Sequence, residues 1–205
     1  MPSVASNRQI IHGVIWKQIL LFFFPILLGS FFQQLYNTVD AIIVGRALGT
    51  EALASVGASS PILNLVYGFF IGISSGATVI LSQAYGAGDW ERAKKTLHTA
   101  MALALTLGAF IAVAGVLLAP RVLALIGTPE TCIDDAILYC RVYFGGAAAS
   151  MVYNMGAGIL RAMGDSRRPM IFLIICCFLN IVADLLFIYV FQMGVAGAAL
   201  ATILS

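Results

Sequence analysis

Between Glu51 and Asp89 the chain runs for 37 residues without a formal charge. As a helix, at 1.5 Å per residue, that stretch would be about 55 Å long. The hydrocarbon core of a bilayer is about 30 Å thick, so such a helix could cross it and extend beyond. Further apolar stretches occupy residues 18–39, 96–120, roughly 136–160 (entered by Arg141) and roughly 170–191, the last interrupted only by Asp184. A sixth begins near Val195, after Met193 and Gly194, and reaches Ser205. That is about 11 residues where a span takes about 20, so it reads as an interrupted sixth span.

Composition points the same way. Hydrophobic residues make up 61% of the chain and charged residues 10%, with a mean hydropathy of +1.00. Soluble domains hold about 45–50% and 25%. The expected fold class is therefore all-α, a polytopic membrane protein. After a cytoplasmic segment at 1–14, spans are expected at about 15–43, 52–85, 95–119, 134–162, 169–191 and 195–205.

Lys and Arg counts orient the bundle. With the N-terminus inside, the inner side holds Arg8, Lys17, Arg92, Lys94, Lys95, Arg161, Arg167 and Arg168, and the outer side Arg46, Arg121 and Arg141. A cytoplasmic N-terminus is the expectation.

Several function classes fall away. There is no GxxxxGK[ST] loop to cradle phosphates. His12 and His98 are far apart in sequence, and none of the four cysteines forms a CxxC pair. Cys132 and Cys140 would stand about 12 Å apart along a helix, beyond disulfide reach. A net charge of +2 is too small for a nucleic-acid binder. The chain is expected to be no enzyme, with no resident metal and no cofactor.

Polar residues at depth carry the remaining information. Gln33, Tyr36, Asn37 and Asp40 recur at i, i+3, i+4 and i+7 in the first span. Asn180 and Asp184 share a face of the fifth. The second offers Asn64, Gly68, Ser75, Thr78 and Ser82, and the fourth Tyr139, Tyr143, Ser150, Asn154 and Arg161. The third has little beyond Thr99 and Thr106, so it reads as lipid-facing or peripheral. Asp40 lies about 34 Å along its helix from Lys17, and Asp184 about 24 Å from Arg168. Both carboxylates then fall in the outer half of the bilayer, where such groups mark ion or proton paths. Asp40 could instead pair with Arg46, and Asn180 could be a simple interhelical bond. Pro25 removes a hydrogen bond inside the first span, giving a fixed kink or a hinge.

Four segments, "QQLYNTVDAIIVGRALGTEALASVGASSPI", "GISSGATVILSQAYGAGDWERAKK", "ILRAMGDSRRPM" and "LNIVADLLFIYVFQMGVAGAALATILS", occur in that order. Together they resemble the N-terminal half of MATE (multidrug and toxic compound extrusion) transporters. The resemblance implies one of two six-helix lobes, the C-terminal lobe being absent from this sequence. It also implies export of small cationic or amphipathic drug-like compounds in exchange for H⁺ or Na⁺, in a bacterial inner membrane. By the same resemblance Asp40, Asp184 and Asn180 fall on ion-binding positions. Tyr36, Tyr139 and Asn154 fall on the cavity wall, and Pro25 where the first helix bends. One departure is Ala157, where a branch of the family carries a second asparagine. The rival expectations are a lipid-linked glycan flippase of the same superfamily and a non-transporting membrane subunit. The flippase would need basic residues in its cavity, and only Arg141 and Arg161 are candidates.

Overall fold

The computed structural model describes residues 15–205; the expected cytoplasmic segment 1–14 lies outside the described residues. Helices run in the order α1 (Ile15–Ala47), α2 (Thr50–Gly86), α3 (Trp90–Leu125), α4 (Ile133–Gly145), α5 (Ala147–Ala162), α6 (Arg167–Leu185) and α7 (Val195–Leu204). A π-helical turn, Leu186–Val190, extends α6. No strand occurs among the described residues. Four stretches are long and apolar enough to cross a membrane: Ile19–Ala47, Thr50–Gly86, Trp90–Leu125 and Arg167–Val190.

The turn between α2 and α3 and the turn between α5 and α6 are built alike. In each a glycine at positive φ, Gly88 at 73° and Gly164 at 83°, lets the chain reverse where an L side chain would be strained. Asp89 N–H then donates to Ala84 O (3.0 Å) and Asp165 N–H to Leu160 O (2.9 Å), closing each helix end. The same aspartates start the next helix. Asp89 Oδ1 accepts from Arg92 N–H at 3.0 Å, and Asp165 Oδ1 from Arg167 and Arg168 N–H at 3.1 Å each.

The fourth apolar stretch is two helices, not one. At Gly146 the N–H donates to Tyr143 O (3.1 Å), three residues back instead of four. A side chain at Gly146 would run into Ile203 of α7, so the backbone of one helix is pressed against the next. Adjacent glycines at 145 and 146 let the helix break there.

Small residues set the packing elsewhere. The third apolar stretch shows one face to the outside and packs with the other. α3 lays Ala93, Ala100, Ala104, Gly108, Ala119 and Leu123 against α2, α4 and α5. A Cβ on Gly108 would stand 2.7 Å from Ala148 Cα, and one on Gly158 2.6 Å from Thr78 Oγ1. Such contacts allow the helices to approach backbone to backbone. Three serines stitch the same region. Ser55 donates to Cys132 O (3.1 Å), Ser59 to Ala136 O (3.5 Å) and Ser74 to Asn154 O (2.8 Å), joining α2 to α4 and α5. The other face of α3, with Leu105, Phe110, Val113 and Leu117, is exposed, as are Phe178 and Val182 of α6. Lipid can cover apolar faces of this extent.

Candidate ion-binding site

α1 packs along α6, with Gly29 against Met170, and only lightly against α2. α1 and α6 carry their carboxylates to the same place. Asp40 is 8% exposed and Asp184 is fully buried, and the two carboxyl groups lie within hydrogen-bonding reach of each other. Asn180, 1% exposed, sits one turn before Asp184 on α6. Tyr139 of α4, 5% exposed, is in electrostatic range of both carboxylates and of Tyr36 and Tyr143. Its ring stacks on that of Tyr143 with centroids 6.3 Å apart. Tyr36 is half-buried and faces Asp40, Tyr67 and Tyr143.

Neither carboxylate oxygen of Asp184 finds a donor among the described residues, nor does Asp40 Oδ1; the Asn180 amide is likewise without an acceptor for Nδ2 or a donor for Oδ1. The described ion pairs are Lys95–Glu91 and Arg168–Asp165, so Arg46 does not neutralise Asp40. Buried polar groups are nearly always satisfied, and buried charges are paired. Two facing carboxylates without a counter-charge can therefore hold a proton or a small cation, with Asn180 as a further oxygen ligand. No group of three His, Cys, Asp or Glu gathers among the described residues.

Immediately past Asp184 the helix widens. Phe191 N–H reaches Leu186 O at 3.0 Å, five residues back, and Met193 N–H reaches Phe187 O at 2.9 Å. Such π turns recur at functional sites. They re-aim the chain toward α7, whose Val195, Ala198 and Ala199 pack with Ile43, Val44, Tyr139 and Ile188 at the base of the site.

The other candidates are placed differently. Asn154 is buried on α5 and donates to Ser150 O (2.8 Å) on its own helix; no hydrogen bond links it to either carboxylate. Ala157, where the second asparagine is missing, is buried close by. Asn37 is exposed: it lies about 60° round α1 from Asp40, on the side away from Tyr36. Asn64, Ser75 and Ser82 of α2 are likewise exposed. The inward polar residues of α2 are Ser55, Ser59, Tyr67, Ser74 and Thr78, of which the spacing had singled out only Thr78. Pro25 is buried within a helix that continues through it. It borders a groove of about 730 Å³ that runs between α1 and the start of α6.

With this geometry in view, comparison with known proteins decides the family. The MatE family model matches residues 25–186. This chain belongs to the MATE family. It is 37% identical over 194 residues to the probable multidrug resistance protein YpnP of Bacillus subtilis, covering 95% of this chain and 44% of that protein. Among solved structures it resembles a MATE in the bent conformation (34% identity, TM-score 0.89, 97% of this chain and 44% of that one). It resembles a MATE in the straight conformation as well (34%, TM-score 0.88, 96% and 43%). The chain thus spans less than half the length of the relatives it matches, the share one of two six-helix lobes would fill. MATE proteins are membrane transporters, not enzymes.

Proposed function

We propose that this chain is the N-terminal lobe of a cation-coupled exporter of small cationic or amphipathic compounds. It would sit in a bacterial inner membrane with its N-terminus on the cytoplasmic side. One observation carries the reading: Asp40 and Asp184 face each other, buried, with no counter-charge among the described residues. Neither H⁺ nor Na⁺ needs a cofactor to bind there, and either would remove the cost of burying two like charges. Asn180 and Tyr139 supply further oxygens beside the pair, Tyr36 borders Asp40, and Asn154 lines the wall on α5.

Coupling follows from where the acids sit. Each is on a different helix, so an ion that bridges them draws α1 and α6 together. Its loss leaves two carboxylates repelling across the same gap. Pro25 lies four turns below Asp40 on α1, where the missing hydrogen bond to Leu21 O makes bending easiest. The groove beside it leaves room for that bend. Similar proteins have been solved in a bent and in a straight conformation.

The flippase alternative finds no basic wall. Arg141 is exposed and Arg161 half-buried, and neither is in ionic contact with the carboxylates.

The test is dye efflux from proteoliposomes holding the complete transporter, under an imposed pH or Na⁺ gradient. Asp40→Asn and Asp184→Asn should each abolish gradient-driven efflux. Efflux that stays ion-coupled in both variants would remove the assignment.

A further inference from the structure

Tyr67 of α2 touches neither carboxylate, yet it is joined to the site. Gln33 Nε2 donates to Tyr67 Oη at 2.7 Å. It is a side chain–side chain hydrogen bond that ties α1 to α2. Gln33 and Tyr36 are i, i+3 neighbours on α1, and Tyr36 and Asp40 are i, i+4 neighbours on the same face. The groups therefore form a series from α2 to the acid pair: Tyr67, Gln33, Tyr36, Asp40.

The chemistry of the amide gives the series a direction. A glutamine carries two N–H donors and one carbonyl acceptor. With Nε2 turned to Tyr67, Oε1 is free to accept the Tyr36 O–H. A phenol that donates there presents its oxygen lone pairs to its other neighbour. Without the Tyr67 anchor the amide can rotate, and the Tyr36 proton can turn to the carboxylate and compete with an incoming cation.

We propose that Tyr67 is a positioning residue for the ion site: through Gln33 it turns the Tyr36 hydroxyl so that its oxygen, not its proton, faces Asp40. This rests on the functional reading given above and adds a residue to it. Because α1 otherwise touches α2 only lightly, the same bond is a specific tie between these two helices.

The experiment uses the complete transporter in proteoliposomes and titrates the coupling cation, H⁺ or Na⁺, at fixed dye concentration. Tyr67→Phe keeps the ring and deletes the acceptor. It should raise the half-saturating cation concentration roughly five- to tenfold, by more than it lowers the maximal rate. Gln33→Met, close to glutamine in shape, should do the same, and the double variant should be no worse than either single one. In a Tyr36→Phe background, Tyr67→Phe should change nothing further. Tyr67→Phe and Gln33→Met are separate routes to the result, so misfolding of one leaves the other to decide.

Two results would overturn the proposal. One is an unchanged cation dependence in both single variants while Asp40→Asn abolishes coupling. The other is effects of Tyr67→Phe and Tyr36→Phe that multiply, since groups acting in series cannot be independent. If Asp40→Asn and Asp184→Asn leave coupling intact, the functional reading fails instead, and the proposal with it.

Discussion

Two halves of this bundle are assembled on opposite terms. On the α2–α3–α5 side, every close approach is made by glycine or alanine, and the buried hydroxyls of Ser55, Ser59 and Ser74 all have acceptors. On the α1–α6 side, the carboxylates of Asp40 and Asp184 and the amide of Asn180 lie buried with unpaired atoms. In lipid, unlike water, apolar burial does little to hold helices together, so packing and satisfied hydrogen bonds must do it. The first half meets that requirement and forms a frame. The second violates it at one place, and a violation that costs stability is where binding an ion has the most to gain.

This contrast predicts opposite responses to substitution. The largest effect on transport belongs to Asp184→Asn, which should reduce gradient-driven efflux to background. The same change should not lower thermal stability in detergent, because replacing an unpaired buried charge by a neutral group is neutral or stabilising. A clear drop in melting temperature would mean that the carboxylate is structural, and the contrast would fail at its centre.

The frame should respond the other way. Gly158→Ala puts a methyl group 2.6 Å from Thr78 Oγ1 and against Ser74 Oγ. Overpacking of this kind costs about 1–3 kcal/mol. Thermal unfolding should show the loss, and any efflux defect should track the amount of folded protein, with no change in cation dependence. Ser74→Ala is the milder version. It removes the 2.8 Å bond to Asn154 O, and interhelical bonds of this type contribute about 0.6 kcal/mol.

Legibility in the sequence divides along the same line. Asp40, Asp184 and Pro25 stand out because each breaks a rule for apolar helices, and a broken rule can be read without a structure. So can the repeated Gly-Asp turns at 88–89 and 164–165, whose chemistry is local. The frame is harder to read. Ser55 and Ser59 also bond to carbonyls on their own helix, Glu51 O and Ser55 O, so nothing in their spacing shows which face they occupy. Ser74 faces inward while its neighbour Ser75 is exposed, a choice made by Gly158 on another helix. The space at Gly146 is filled by Ile203, 57 positions away. Tyr67 lies i+3 from Asn64, at the edge of the stripe that Asn64 and Thr78 define, and its bond to Gln33 gives it a place. Long-range packing decides each of these.

The smallest effect sharpens the comparison from outside. Lys95 Nζ and Glu91 Oε1 are 2.7 Å apart at the start of α3, with side chains 76% and 81% exposed. An i, i+4 pair in water contributes about 0.3–0.5 kcal/mol, and salt screens it. Glu91→Gln should therefore shift the melting temperature slightly at low salt and not at all in 0.5 M NaCl (a Debye length of roughly 4 Å), with efflux unchanged. The distance matches the bonds of the buried network, but this pair is charged and lies in water. If this substitution destabilised the bundle as much as Gly158→Ala, the turn after Gly88 would have to be part of the frame, and the division into a sealed half and an open one would no longer describe the molecule.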